Sequence, residues 1–148
     1  WHTFFNLPLR MVVSSNLKTV EKRGYSLTPS IVIERFGLFH RDSRLAFELT
    51  FNFVDQILGK YFYGVAPEYA NADRPVYMAR GGYLGTDLQV RFLHPLSDQV
   101  RTFTGVGVSY FGGSANDDSP LFKSQWGFGV SAGLIWVLSQ SDELAPAD

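Results

Sequence analysis

Apolar and polar residues alternate with a period of two along most of this chain. The stretch RLAFELTFNF, Arg44 to Phe53, shows it best. Leu45, Phe47, Leu49, Phe51 and Phe53 share one side, and Arg44, Ala46, Glu48, Thr50 and Asn52 share the other. Five further segments repeat the pattern: Phe4–Ser14, Tyr25–Glu34, Leu84–Phe92, Val100–Tyr110 and Trp126–Leu138. A period of two predicts β-strands, so six strands are expected and no helix. Pro8 and Pro29 count against the first two strands, because each removes a ladder donor that a central strand needs.

The connections carry as much information as the strands. They run Asn16–Gly24, Gly37–Ser43, Val54–Gly82, Leu93–Gln99 and Gly112–Gln125, which reads long, short, long, short, long. Consecutive antiparallel strands place alternate connections at opposite ends of the sheet. One end is therefore expected to carry the long loops and the other the short turns, as in outer-membrane barrels. The connection Val54–Gly82 is too long to be idle in a compact domain.

Alternation alone fits a soluble sandwich, with its apolar face inward, or a membrane barrel, with that face toward lipid. Two features favour lipid. Aromatics of the apolar face gather at strand ends: Tyr25, Phe53, Tyr110 and Trp126 at the long-loop end, and Phe5, Phe92 and Trp136 near the short-turn end. Two such girdles are expected where rings sit among headgroups. The other face holds Arg10, Glu34, Arg44, Glu48, Asp87, Arg91 and Arg101, and every basic residue in the six segments is Arg, which suits paired, partly buried charges. The expected fold is thus all-β, an antiparallel transmembrane β-barrel, with a soluble β-sandwich as the alternative. Six strands are too few to close a membrane barrel, which takes about eight, and an open sheet leaves unpaired edges in lipid. The chain is accordingly expected to be part of a larger barrel. Starting at Trp1 in mid-pattern, with no Met or signal peptide, it reads as a processed or truncated product. Residues 1–138 form one barrel portion in this reading, and 139–148 a polar tail.

Composition narrows the partners. A formal charge of −1 over 148 residues gives no electrostatic case for nucleic acid. The absence of cysteine excludes disulfides and thiolate metal sites. Aromatics are abundant at 16%, and no apolar run approaches the roughly 18 residues of a spanning helix.

The segment YFYGVAPEYANADRPVYMARGGYLG, Tyr61 to Gly85, bears the most distinctive motifs: Tyr63-Gly64-Val65, then Arg74-Pro75 with Tyr77, then Gly81-Gly82-Tyr83. With DDSPLF (Asp117 to Phe122), LPLR (Leu7 to Arg10) and GYSLTPS (Gly24 to Ser30), it resembles the MltA-interacting protein (MipA)/OmpV family of Gram-negative outer-membrane proteins. The likeness runs through nearly the whole chain in order and corresponds to the C-terminal part of such a protein. Ser139–Asp148 departs from the family pattern, because no terminal aromatic closes the last strand. The resemblance implies a non-enzymatic scaffold linking a murein-degrading transglycosylase to a murein synthase, or a surface antigen or adhesin.

Candidate chemistry is sparse. His2, His40 and His94 fall at a chain end and in two short turns, with no metal-ligand spacing. The long loops supply Glu68, Asp73, Asp117, Asp118 and Ser119 but no histidine, so Ser119 lacks a base to activate it. No catalytic residue, metal or cofactor is expected. The loop Val54–Gly82 is the candidate surface-binding element through Tyr61, Tyr63, Tyr69, Arg74, Tyr77 and Arg80, with Tyr83 just beyond it, since Tyr and Arg dominate binding hot spots. The seven polar-face charges are expected to fill the lumen as pairs, Glu34 with Arg44 among them. Membrane lipid and a protein are the expected partners, at the outer membrane. A small-solute channel and a barrel-embedded lipid or peptide hydrolase are the competing functions.

Overall fold

The computed structural model describes residues 1–138, and the polar tail 139–148 lies outside the described residues. The strands are β1 (His2–Asn6), β2 (Leu9–Ser15), β3 (Val20–Leu27), β4 (Ser30–Phe36), β5 (Arg44–Val54), β6 (Gly82–Pro95), β7 (Val100–Tyr110) and β8 (Trp126–Trp136). They build one antiparallel sheet that is barrel-like but not closed.

Eight strands replace six because the prolines interrupt the first two. β1 lies against β4, from His2 opposite Glu34 to Asn6 opposite Ser30. β2 lies against β3, from Leu9 opposite Leu27 to Ser15 opposite Val20. The breaks at Pro8 and Pro29 sit side by side, and the Thr28 amide donates to the Pro8 carbonyl at 3.1 Å, so the ladder continues across them. β5 spans both halves, pairing with β4 along its length and with β3 at Ser26 and Leu27. From β5 to β8 each strand pairs with the next. The outer edges of β1–β2 and of β8 have no partner strand among the described residues.

Three expectations are corrected. Asn16–Gly24 is no long loop: β2 and β3 meet at a tight turn where Asn16 Oδ1 accepts from the amides of Lys18 and Thr19. The long–short asymmetry therefore rests on the later connections. A helix does form, α1 (Gln56–Tyr63), opened by Asp55, whose side chain accepts from the Leu58 amide. And since β3 begins at Val20, Lys22 lies in a strand, its ammonium over the Tyr25 ring, so strand cations are not arginine alone.

Burial settles how the two faces are used. Ser30, Val32, Glu34 and Ala46, on the polar face, are buried. Val106 is 56% exposed and Leu134 69%, on the apolar face. The apolar side chains are not gathered into a core; they stand on the outside of the curved sheet, and the charges lie on its concave side.

Candidate functional site

Two regions carry the chemistry: the concave wall and the cap at the long-loop end. On the wall the charges are mostly matched. Arg44 pairs with Glu34, which is only 4% exposed. The contact is diagonal, because Glu34 stands directly across from Ala46, and Phe36 from Arg44. Arg91 pairs with Glu48. Asp87 accepts from Asn52 Nδ2 at 2.6 Å and from Ser109 Oγ. Among the described residues Arg10 reaches only the Thr28 hydroxyl, at 3.5 Å. Arg101 lies apart, at the short-turn rim beside His40 and Asp98. Four of the seven charges thus stand in two ion pairs, while Asp87, Arg10 and Arg101 stand in none among the described residues. Between them runs a polar groove of about 500 Å³, lined in part by Arg10, Glu48, Thr50, Asn52, Asp87 and Arg91.

The cap begins where α1 leaves β5 and folds over β3. Gly24, at φ +127°, makes this possible: a Cβ there would stand 2.7 Å from the Leu58 amide nitrogen. A β-bulge at Val12/Val13 in the β2–β3 pair accompanies that conformation. Leu58, Val65 and Ala79 are buried beneath the cap. Asn116, fully buried, locks the two long loops together. Its Oδ1 accepts from the Arg80 amide at 2.8 Å, and its Nδ2 donates to the Arg80 carbonyl at 2.8 Å. Ser119 Oγ donates to the Tyr63 carbonyl at 2.9 Å, so this serine is a loop tie.

The structure divides the candidate binding residues. Tyr77 donates its hydroxyl to Asp118, and Arg80 lies 3.7 Å from the same carboxylate. Burial and that bond raise the Tyr77 pKa, while the Tyr77 hydroxyl lowers that of Asp118. Burial also raises the Tyr63 pKa. Arg74 donates to the Tyr69 carbonyl at 2.8 Å and shapes its own loop. The Tyr83 hydroxyl meets Thr86 Oγ1 at 2.6 Å. Tyr61, Tyr69 and Arg80 face outward, with the Arg23 guanidinium over the Tyr61 ring. Sequence reasoning missed Asn116 and α1. The helix had a signal in Asp55, a capping residue ahead of apolar residues at 57, 58, 61 and 62; Asn116 had none.

The aromatics singled out above stand at or near strand ends. Tyr110 stands opposite Trp126, their rings 4.7 Å apart, and Phe53 meets Tyr83 at 5.7 Å. At the other end Phe92 stacks on His94, and Trp136 is exposed. Tyr25 at the long-loop end is likewise exposed. Among the described residues no cluster of three or more metal-ligating side chains occurs, and no helix is long and apolar enough to cross a membrane.

A curved antiparallel sheet with a polar hollow, an exposed apolar outside and its long loops gathered at one rim defines a protein of the membrane β-barrel class. Residues 3–138 match the family described as MltA-interacting protein MipA, and the chain belongs to that family. It is a family of Gram-negative outer-membrane proteins, of scaffold or binding type and not known for catalysis. No curated protein and no solved structure matches the chain.

Proposed function

We propose that this chain is part of the wall of an outer-membrane β-barrel and serves there as a non-enzymatic scaffold for murein-processing enzymes. The family match carries this reading: its name points to an MltA-type transglycosylase as one partner. The exposed apolar outside supports placement in a bilayer, where each unpaired edge group costs several kcal/mol. The free edges of β1–β2 and β8 are where the rest of the wall joins. The cap, with Tyr61, Tyr69 and Arg80 outward, offers a second surface toward the cell exterior, suited to an antigen or adhesin role. The paired lumen charges favour a filled interior over a wide pore.

The test is direct association. The protein is held in detergent or nanodiscs and titrated with the soluble domain of an MltA-type transglycosylase. Saturable binding is expected, and its absence would remove the scaffold reading. The polar groove favours one second reading, a small-solute channel. Planar-bilayer conductance separates it: steady single-channel current would support the channel.

A further inference from the structure

The partner's docking place on this chain is a separate question, and the short-turn rim answers it. Two turns stand there, Gly37–Ser43 between β4 and β5 and Leu96–Gln99 between β6 and β7. Both are fixed from within. Ser43, fully buried, donates its hydroxyl to the carbonyls of Leu38 and His40, and its amide donates to His40 O at 3.0 Å. The Asp42 amide donates to His40 Nδ1 at 3.2 Å. In the second turn the amides of Leu96 and Ser97 donate to the Val100 carbonyl, and Ser97 Oγ accepts from the Val100 amide.

These rigid turns present apolar groups outward. Phe39 is 88% exposed and held at φ +68°, a left-handed conformation that L-residues adopt at a cost. Leu96 is 63% exposed. Between the turns lies a cleft of about 330 Å³ lined by His40, Asp42, Leu96, Asp98 and Arg101. Among the described residues Asp98 and Arg101 have no ion-pair partner, whereas Asp42 is held by Arg41 at 3.4 Å.

We infer that this rim is the docking surface for a periplasmic protein, one that presents an apolar side chain flanked by a base for Asp98 and an acid for Arg101. Resting on the scaffold reading above, the inference names the surface that reading leaves open. Charge selects the occupant: Asp42 and Asp98 stand with Arg41 and Arg101, so the rim offers a lipid phosphate no net positive charge, and the polar cleft between the turns does not suit an acyl chain. A protein surface can satisfy both signs and cover Phe39 and Leu96 together. Preorganised turns lower the ordering cost of such a contact. Short turns lie on the periplasmic side of outer-membrane barrels, the side where murein enzymes work.

The experiment uses the whole chain in nanodiscs and the soluble transglycosylase domain as probe. Affinity is measured for the wild type, for Phe39→Ser with Leu96→Ser, for Asp98→Lys, and for Tyr69→Ser in the cap. Both rim variants are expected to bind at least about tenfold more weakly, and the cap variant as wild type. Rim variants that bind like wild type, or a cap variant that loses binding, overturn the rim while leaving the scaffold reading intact. A wild type that does not bind overturns both. Should the double variant fail to fold by strand circular dichroism, Asp98→Lys, an exposed turn substitution, decides alone.

Discussion

The sheet and the cap follow opposite rules. In the sheet, Ser30, Glu34 and Ala46 are buried on the concave side while Phe51, Val106 and Leu134 stand exposed outside. In the cap, Leu58, Val65 and Ala79 are inside, and Glu68, Asp73 and Arg74 are exposed. The cap thus has a small apolar core, with Ile57, Val76 and Met78 still on its surface, whereas the sheet turns its apolar side outward. The change falls at the ends of β5 and β6, where Phe53 meets Tyr83 and the Arg80–Gly82 backbone turns under α1. One chain thus buries opposite kinds of side chain in its two regions, and Phe53 and Tyr83 stand where they meet. Stability in the two regions should answer to different substitutions.

The strongest way to break this comparison is a charge on the outside of the sheet. Val106→Arg, opposite Val90 and Val130, should cost about 2–4 kcal/mol in folding into lipid bilayers. Refolding into vesicles against denaturant measures it. If a detergent-free, monomeric protein carried the same substitution without loss, the apolar face would not be a lipid face. Next comes Leu58→Ala, which should destabilise the cap by about 2–3 kcal/mol and leave the sheet in place. Hydrogen exchange is expected to rise in residues 56–81 alone; a uniform rise would join cap and sheet in one cooperative unit.

A smaller effect is expected on the concave wall. Arg44→Ala leaves Glu34 buried without its cation. Because Arg44 is itself half-exposed, the loss should be about 1–2 kcal/mol rather than that of a fully buried pair. An unchanged unfolding temperature in detergent would dismiss the pair as a stabilising contact. The smallest effect concerns pH at the cap. The Tyr77 hydroxyl lowers the Asp118 pKa below its ordinary 3.8, so the contact stabilises the loops above that value. Its contribution is lost as pH falls through the lowered pKa. Exchange of loop amides should quicken there, and Asp118→Asn should abolish that pH dependence.

The antiparallel order of the strands and the division of their two faces were legible in the residues. They follow from a local property: successive side chains on a strand point to opposite faces, so period two in the sequence is period two in space. The proline breaks were legible as trouble but not as geometry. Only the pairing of β1 with β4 and of β2 with β3 brings both breaks to one level, where a single amide-to-carbonyl bond bridges them. The helix stayed hidden because it has only eight residues and its buried side needs just Leu58 and Gly59. What makes that side fit is Gly24, more than thirty residues earlier. Asn116 is the plainest case. As a sequence letter it is one more polar residue in a loop, and it becomes the lock of the cap because folding sets both atoms of its amide against the backbone of Arg80. Alternation is written residue by residue into the backbone, whereas a contact between distant loops exists only once the chain has brought them together.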